Sequence, residues 1–347
     1  MRNFGFVGVA ALLTLALAGC GHNNSAGEEQ TVTTQGSGAP AGGGKTLQIA
    51  VIPKGTSHDY WKSIHAGANK AQQDLAKQGT QINVIWKGTE SEGDRNGQVN
   101  IVETFVTQHV AGIVLAPLDS QALVTPVQDA AAHKIPVVII DSALGGGDYV
   151  SFCATDNEKG GELAGERLAQ LLGGKGRVIL LPYQQGSAST EGREKGFLTV
   201  MKKYPGITVL SQNQYGGPTS DTAQTAAQTL LTRFGSQVDG VFASNESNTR
   251  GMRLALQDKG LLKKVKFVGF DASPDLVQAL KDGELQGLVV QNPFKMGYIG
   301  VTTLVDAIQG KKVPKAVDTG VALITPDTIS DPKYQDYLNP PINQYLR

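Results

Sequence analysis

Short apolar runs alternate with longer amphipathic stretches along most of the chain. The first run is Leu47–Ile52, and after a break at residues 53–55, small and apolar side chains recur at helical spacing from Trp61 to Ala71. An uninterrupted apolar run is typical of a buried parallel strand, and the periodic stretch after it is typical of a helix packed on a sheet. This opening therefore predicts a strand, a loop and a helix.

The same alternation continues through the rest of the chain. Strands are predicted at residues 47–52, 82–86, 112–115, 136–140, 150–154, 177–181, 207–211, 240–243, 265–270 and 287–290. Helices are predicted at residues 60–77, 96–108, 122–133, 158–172, 190–203, 219–234, 247–259, 274–281 and 295–309. Such alternation favours parallel sheets with helices on both faces. Because an ordinary sheet has about five strands, we expect an α/β fold with two lobes, each with its own sheet.

Polar and aromatic side chains recur where the predicted strands stop. In chain order they are Lys54, His58, Tyr60, Trp61, Asp141, Asn245, Asp271 and Gln291, and Arg193 lies just inside a helix after another strand. Ligands of open α/β sheets bind beyond the carboxyl ends of the strands, so these side chains are candidates for one cleft. Carboxylates, amides and a guanidinium bind vicinal hydroxyl groups, and an aromatic side chain packs on an apolar ring face. The pattern therefore suits a sugar.

Each candidate also has a structural interpretation. Asp141 or Asp271 can cap the helix that follows it, and Asn245 can end its strand in a turn. Tyr60 and Trp61 can be core residues at the start of a helix. The functional interpretation rests on the constellation, because all of these groups follow strand ends that meet at one edge of a sheet.

Composition narrows the possible functions. Lys plus Arg and Asp plus Glu both number 31, so the formal net charge is +0, and nucleic acid is not expected as a partner. The histidines lack metal-ligand spacing and no G-x-S-x-G motif is present, so we predict no metal, no cofactor and no serine nucleophile. Cys153 is predicted to be a small buried thiol, because the other cysteine, Cys20, belongs to the N-terminal segment.

Residues 1–20 have the features of an export signal. Arg2 gives a positive start, residues 4–18 are apolar but short for a bilayer span, and Leu-Ala-Gly-Cys at 17–20 matches the lipobox whose cysteine is acylated. Acyl chains on Cys20 would anchor the protein to a membrane, and an ordinary secretory peptide is the alternative. Either way we expect export to the periplasm or cell surface. Residues 21–45 have little apolar content and are predicted to be a flexible tether.

Short motifs follow one another in a recognisable order. They are HDYW at 58–61, PLDS at 117–120, VIID at 138–141, ATDN at 154–157 ahead of two glycines, REKGF at 193–197, VFASNE at 241–246, VGFD at 268–271 and VQ at 290–291. Their order and spacing, from about Leu47 to Leu323, resemble those of the periplasmic sugar-binding proteins of the ribose-binding type. Those proteins are the ligand-capturing subunits of ABC importers.

The resemblance implies two Rossmann-like lobes with parallel sheets, joined by three hinge crossovers, which is the type I periplasmic binding protein fold. It assigns residues 46–154 and 292–321 to the N-terminal lobe, and residues 155–291 and 322–347 to the C-terminal lobe. It implies a sugar between the lobes, with Gln291 at a hinge crossover. Carried over by position, the other ligand contacts are His58, Tyr60, Trp61, Asp141, Arg193, Asn245 and Asp271, with Phe270 as a further aromatic wall.

Three positions depart from the ribose-type pattern. Ser142 stands where that pattern has an arginine, Ala116 where it has an asparagine, and Lys54 where it has a small polar residue. A buried polar group left unpaired costs ~1–3 kcal/mol, which is enough to change the preferred sugar. The sequence therefore does not predict ribose.

The leading hypothesis is a monomeric, lipid-tethered protein that captures a pentose, hexose or polyol and delivers it to an ABC permease in the cytoplasmic membrane. One alternative is a sensor that presents its ligand to a chemoreceptor, including an autoinducer-2 type suggested by the Ile-Pro-Lys start at 52–54. A glycoside hydrolase would use Asp141 and Asp271 as an acid–base pair, and we expect no enzyme. A transcription regulator would need a helix-turn-helix where this chain has a lipobox and a tether.

Overall fold

The computed structural model describes residues 46–346, so Cys20, the predicted signal at 1–20 and the predicted tether at 21–45 lie outside the described residues. The strands are β1 Leu47–Ile52, β2 Ile82–Trp86, β3 Gly112–Leu115, β4 Val137–Ile140, β5 Ser151–Ala154, β6 Lys175–Leu181, β7 Gly206–Ser211, β8 Gly240–Ala243, β9 Lys266–Phe270, β10 Gly287–Gln291, β11 Ala316–Asp318 and β12 Val321–Ile324. The helices are α1 Asp59–Lys77, α2 Arg95–Thr107, α3 Val124–Ala132, α4 Asn157–Leu171, α5 Ala188–Met201, α6 Ser220–Phe234, α7 Glu246–Asp258, α8 Pro274–Lys281, α9 Pro293–Ile308, α10 Gln335–Leu338 and α11 Ile342–Tyr345. No helix within 46–346 is long and apolar enough to cross a bilayer.

The strands form two sheets of six, in the orders β11-β5-β4-β3-β1-β2 and β12-β10-β9-β8-β6-β7. Neighbouring strands run parallel except β10 and β12, which are antiparallel. The two orders match strand by strand, so β1 corresponds to β6 and β4 corresponds to β9. The predicted α/β fold with two parallel lobes is therefore confirmed.

The chain crosses between the two sheets at three places, as expected. The crossings follow β5, β10 and β11, and the last of them is the short connection at residues 319–320. Helix α9 returns the chain to the first lobe, where it packs against α1, and α4 packs against α5 in the second. At the C-terminus, Asn69 of α1 donates a hydrogen bond to the carbonyl oxygen of Tyr345 at 2.9 Å. Helix α11 thus contacts the first lobe, although the expected boundaries assign residues 322–347 to the second.

All predicted strands and helices are present, with ends that differ by no more than two residues. The sequence did not predict β11 and β12, so each sheet has six strands rather than about five. These strands lie at the sheet edges and most of their residues are partly exposed. They therefore lack the uninterrupted apolar run that marks a strand buried on both faces.

The core of each lobe lies on both faces of its sheet. In β1, Ile49 and Val51 pack on the face that α1 and α9 cover, while Ala50 and Ile52 pack with residues of α2 and α3 on the other. Successive side chains of a strand point to opposite faces, so both sets are buried only because both faces are covered. Cys153 of β5 is a buried free thiol, as predicted.

Glycines allow the main helix pair of each lobe to approach closely. A Cβ atom at Gly67 of α1 or Gly297 of α9 would overlap a backbone oxygen of the partner helix. A Cβ atom at Gly161 of α4 or Gly196 of α5 would do the same in the other lobe. Each pair thus brings backbone against backbone, which only a residue without a side chain permits.

Candidate functional site

A cavity lies between the lobes where the carboxyl ends of their strands meet. It is lined by Lys54, His58, Tyr60, Trp61, Glu92, Asp141, Tyr183, Ser189, Thr190, Arg193, Asn245, Glu246, Asp271 and Gln291. Every predicted contact residue except Phe270 thus lines this one cavity. The lobes are closed on each other, and the cavity is about 30 Å³, well below the ~300–1,000 Å³ of ordinary ligand pockets. A molecule of monosaccharide size therefore needs the lobes to separate or side chains to rearrange.

Two aspartates occupy equivalent positions in the two lobes. Asp141 follows β4 and Asp271 follows β9, and both have left-handed backbone conformations, with φ of 62° and 70°. Asp tolerates this region better than most residues, yet it costs on the order of 1–3 kcal/mol and persists where surrounding contacts hold it. The turn directs both carboxylates into the cleft, so neither caps the helix that follows it.

The contacts of the two carboxylates differ. Asp141 accepts a hydrogen bond from the Tyr60 hydroxyl at 2.8 Å, and its other oxygen is 2.9 Å from the Lys54 ammonium. Asp271 accepts from the side-chain amide of Gln291 at 2.8 Å and from the backbone N–H of Glu246 at 3.0 Å. Burial raises the pKa of Asp271, although Arg193 and Gln291 oppose this shift. Burial also raises the pKa of Glu246 to about 7, against the neighbouring positive charges.

The Lys54 ammonium joins the two lobes. Besides Asp141, it contacts the hydroxyl of Ser142 at 2.7 Å in its own lobe. It also contacts the hydroxyls of Ser189 at 3.0 Å and Ser187 at 3.3 Å, at the start of α5 in the opposite lobe. Two of the sequence departures, Lys54 and Ser142, are thus partners in space, because the short serine leaves room for the ammonium.

Glu92, which the sequence did not single out, is the most heavily bonded acid of the cleft. It is 5% exposed and accepts hydrogen bonds from Trp61 Nε1 at 2.7 Å and from the Tyr183 hydroxyl at 2.6 Å. His58 Nδ1 lies 2.6 Å from the same carboxylate. Glu92 lies in the polar loop between β2 and α2, where no strand end or periodicity distinguishes it from Glu90. Only its contacts with His58, Trp61 and Tyr183, which are distant in the sequence, identify it.

His58 and Glu92 form a buried charge pair. Burial alone would lower the pKa of His58, but the charge and hydrogen bond of Glu92 raise it to about 9. Burial alone would raise the pKa of Glu92, but His58, Lys54 and the Tyr183 hydroxyl lower it to about 2. At neutral pH the pair is therefore an imidazolium and a carboxylate.

Arg193 and Phe270 act together, which corrects the expectation for Phe270. The ring of Phe270 is fully buried and lies under the Arg193 guanidinium, 3.9 Å from its central carbon. Phe270 therefore supports Arg193 and does not itself line the cavity. Hydrogen bonds from Arg193 to the side chain of Asn157 at 2.9 Å and to the carbonyl of Ser244 at 3.0 Å fix the guanidinium further.

The remaining predicted residues serve the core and the cleft at once. Tyr60 and Trp61 pack edge to face with centroids 5.0 Å apart, and both are largely buried while lining the cavity. Asn245 also caps α7, because its side-chain oxygen accepts from the N–H of Asn248 at 3.2 Å. Their structural and functional interpretations are therefore compatible. Within residues 46–346, no group of three or more His, Cys, Asp or Glu side chains is placed to hold a metal ion.

The structure is that of a two-lobed binding protein. It has two α/β lobes with mostly parallel sheets, three crossovers between them and a polar cleft where their strand ends face each other. The chain belongs to the family of the periplasmic binding protein domain, whose model matches residues 49–312. This membership and the relatives below confirm the resemblance to the ribose-binding type.

Two curated relatives and one solved structure illustrate the similarity. The ribose import binding protein of Bacillus subtilis is 27% identical over 288 residues, which cover 82% of this chain and 89% of that protein. The xylitol-binding protein of Mycolicibacterium smegmatis is 27% identical over 298 residues, covering 86% and 82% of the two chains. A carbohydrate transporter solute-binding protein from Agrobacterium radiobacter, in complex with D-arabinose, is 36% identical with a TM-score of 0.80, covering 85% of this chain and 99% of that one.

Proposed function

We propose that this protein binds a monosaccharide or a related polyol between its lobes and delivers it to an ABC importer. The observation that carries the proposal is the pair of aspartates aimed into the cleft from equivalent strand ends, beside Arg193 and two aromatic side chains. Such groups suit vicinal hydroxyls and the apolar face of a sugar ring. The names of the relatives support the class of ligand, since they bind ribose, xylitol or D-arabinose.

The contacts of the two aspartates favour binding of the ligand without a chemical reaction. Asp141 is paired with Lys54 and Tyr60, and Asp271 is bonded by Gln291 and a backbone N–H. Both acids are thus held as acceptors for hydroxyl groups. The ligand would bridge the lobes and stabilise the closed state, which would then dock on the permease. A chemoreceptor partner and a monomeric state stay predictions from the sequence.

The test uses ligand-stripped protein that starts near residue 45 and a panel of pentoses, hexoses, deoxy sugars and alditols. One class of ligand in this panel is expected to raise the thermal stability of the protein. A ligand at 100 times its Kd adds ~2.7 kcal/mol to the free energy of unfolding. The measurement is thermal unfolding, followed by recovery of the sugar to show that it is unchanged. The Asp141→Ala variant is the matched control and should lose most of the shift. If no sugar or alditol shifts the wild-type protein, the proposed ligand class is wrong.

We further propose that acylated Cys20 anchors the exported protein to a membrane, at the periplasm or cell surface. The Cys20→Ala variant is expected to leave the membrane fraction, because Cys20 is the residue of the lipobox to which acyl chains attach. Immunoblotting of membrane and soluble fractions measures this. Cys153→Ala is the matched control, since that buried thiol should leave membrane association unchanged. Continued membrane association of Cys20→Ala would contradict the anchor.

A further inference from the structure

Helix α1 begins without a cap from its own lobe. His58 precedes its first residue, and its side chain makes no capping hydrogen bond, because the imidazole is paired with Glu92. The first N–H groups of a helix have no partner within the helix and need one from elsewhere. The N–H of Tyr60 donates to a carboxylate oxygen of Glu246, at 3.0 Å, from α7 of the opposite lobe. The start of α1 is thus capped across the cleft.

A second contact crosses the cleft beside this cap. Arg250, one turn further along α7, donates to the other oxygen of Glu246 at 2.7 Å. Its guanidinium also donates to Asp59, the first residue of α1, at 3.0 Å. In its own lobe it is held by the carboxylate of Asp275, with its shortest contact at 2.6 Å. Glu246 and Arg250 therefore hold the first turn of α1 from the opposite lobe by two neighbouring contacts.

The two contacts are suited to holding the two lobes in the closed state. The Glu246 side chain is 3% exposed, so its bond to the Tyr60 N–H is shielded from water. Arg250 and Asp59 are about a quarter and a third exposed, and Arg250 does not line the ligand cavity. Negative charge at a helix N-terminus is favourable, which adds to the attraction of Glu246 for α1.

We propose that Glu246 and Arg250 form an interlobe clasp on the first turn of α1, which sets how long the closed protein retains its ligand. They act as positioning residues, because the clasp holds Tyr60 and Trp61 of α1 against the second lobe. The part concerning ligand rests on the proposed function. Separating the lobes breaks both contacts, whereas diffusion of a ligand into the open cleft does not involve them.

The first experiment measures the rates of sugar binding and release by stopped-flow fluorescence at pH 8. Arg250→Met and Asp59→Asn are each expected to raise the dissociation rate constant roughly tenfold, which corresponds to about 1.4 kcal/mol, with little change in the association rate constant. The double variant should dissociate no faster than Arg250→Met, because that variant already removes the contact to Asp59. Asp275→Asn is the matched control, since it removes only the partner in the same lobe, and its dissociation rate should stay within about twofold of wild type. Equal dissociation rates in wild type, Arg250→Met and Asp59→Asn overturn the proposal.

A second measurement tests the clasp without a sugar. Small-angle X-ray scattering of ligand-stripped protein is expected to show a larger radius of gyration for Arg250→Met and Asp59→Asn than for wild type and Asp275→Asn. If the wild-type protein binds no sugar, the proposed function fails while this comparison still decides the clasp. Equal radii for all of these proteins overturn the clasp, whatever the ligand.

Discussion

Replacement of Asp141 with Ala is expected to raise the Kd for sugar at least about a hundredfold. A hydrogen bond to a charged group contributes about 1.5–3 kcal/mol, and under the proposed function this carboxylate would accept from two vicinal hydroxyls. The carboxylate is also the counter-ion of Lys54, with 3% of each residue exposed. Loss of one partner of a buried charge pair destabilises by about 3–5 kcal/mol, so the variant should also unfold at a lower temperature.

A double variant separates the two effects. Lys54→Met with Asp141→Asn removes both charges, and Asn tolerates the left-handed backbone at position 141, so this variant should recover much of the thermal stability. It should not recover sugar binding, since the charged acceptor for the hydroxyls is absent. Titration calorimetry and thermal unfolding measure the two properties. Unchanged sugar affinity in Asp141→Ala would show that this carboxylate is not a ligand contact.

The contribution of the His58–Glu92 pair to folding stability is expected to be largest between about pH 4.5 and 6.5. The pKa of His58 is raised to about 9, so its contribution is complete below its ordinary value of 6.5 and is lost as the pH rises through 9. The pKa of Glu92 is lowered to about 2, so its contribution is complete above 4.5 and is lost as the pH falls through 2. Both contributions are complete only between 4.5 and 6.5.

Urea unfolding of wild type and His58→Gln from about pH 4.5 to above pH 9 tests the pair. The difference in the free energy of unfolding should be on the order of 3 kcal/mol at its maximum and should shrink above pH 9. His133→Gln is the matched control, because that side chain is 46% exposed on the surface of the first lobe. A difference that is constant from pH 5 to above pH 9 contradicts a charged pair.

The fold could be predicted from the sequence because most strands are buried on both faces. Such strands are continuous apolar runs, and the helices between them have a clear period. The edge strands Ala316–Asp318 and Val321–Ile324 escaped prediction, since partial exposure removes that signal. Asp141 and Asp271 could also be located from the sequence, because each directly follows one of these buried strands. Their left-handed backbone, which aims them into the cleft, has no signal in the local sequence.

What the sequence could not show is contact between distant segments. Glu92 is important because Tyr183, 91 positions away, donates to it across the cleft. Lys54 was predicted as a ligand contact, and its serine partners lie up to 135 positions away in the opposite lobe. Phe270 was predicted as a wall for the ligand, but the Arg193 side chain covers its ring. The pairings of Glu92 and Lys54 depend on how the two lobes meet, and that of Phe270 depends on packing within the second lobe. Local sequence patterns encode neither.

The close glycine contacts make the main helix pair of each lobe move as one rigid unit. Helix α9 begins at Pro293, directly after one crossover, and its backbone touches that of α1, which carries Tyr60 and Trp61. Helix α4 begins at Asn157, directly after another crossover, and touches α5, which carries Arg193. With backbone against backbone there is no soft layer of side chains to absorb movement. A small rotation at the crossovers is therefore passed on undiminished to the groups on opposite sides of the cleft, so its width and its chemistry change together.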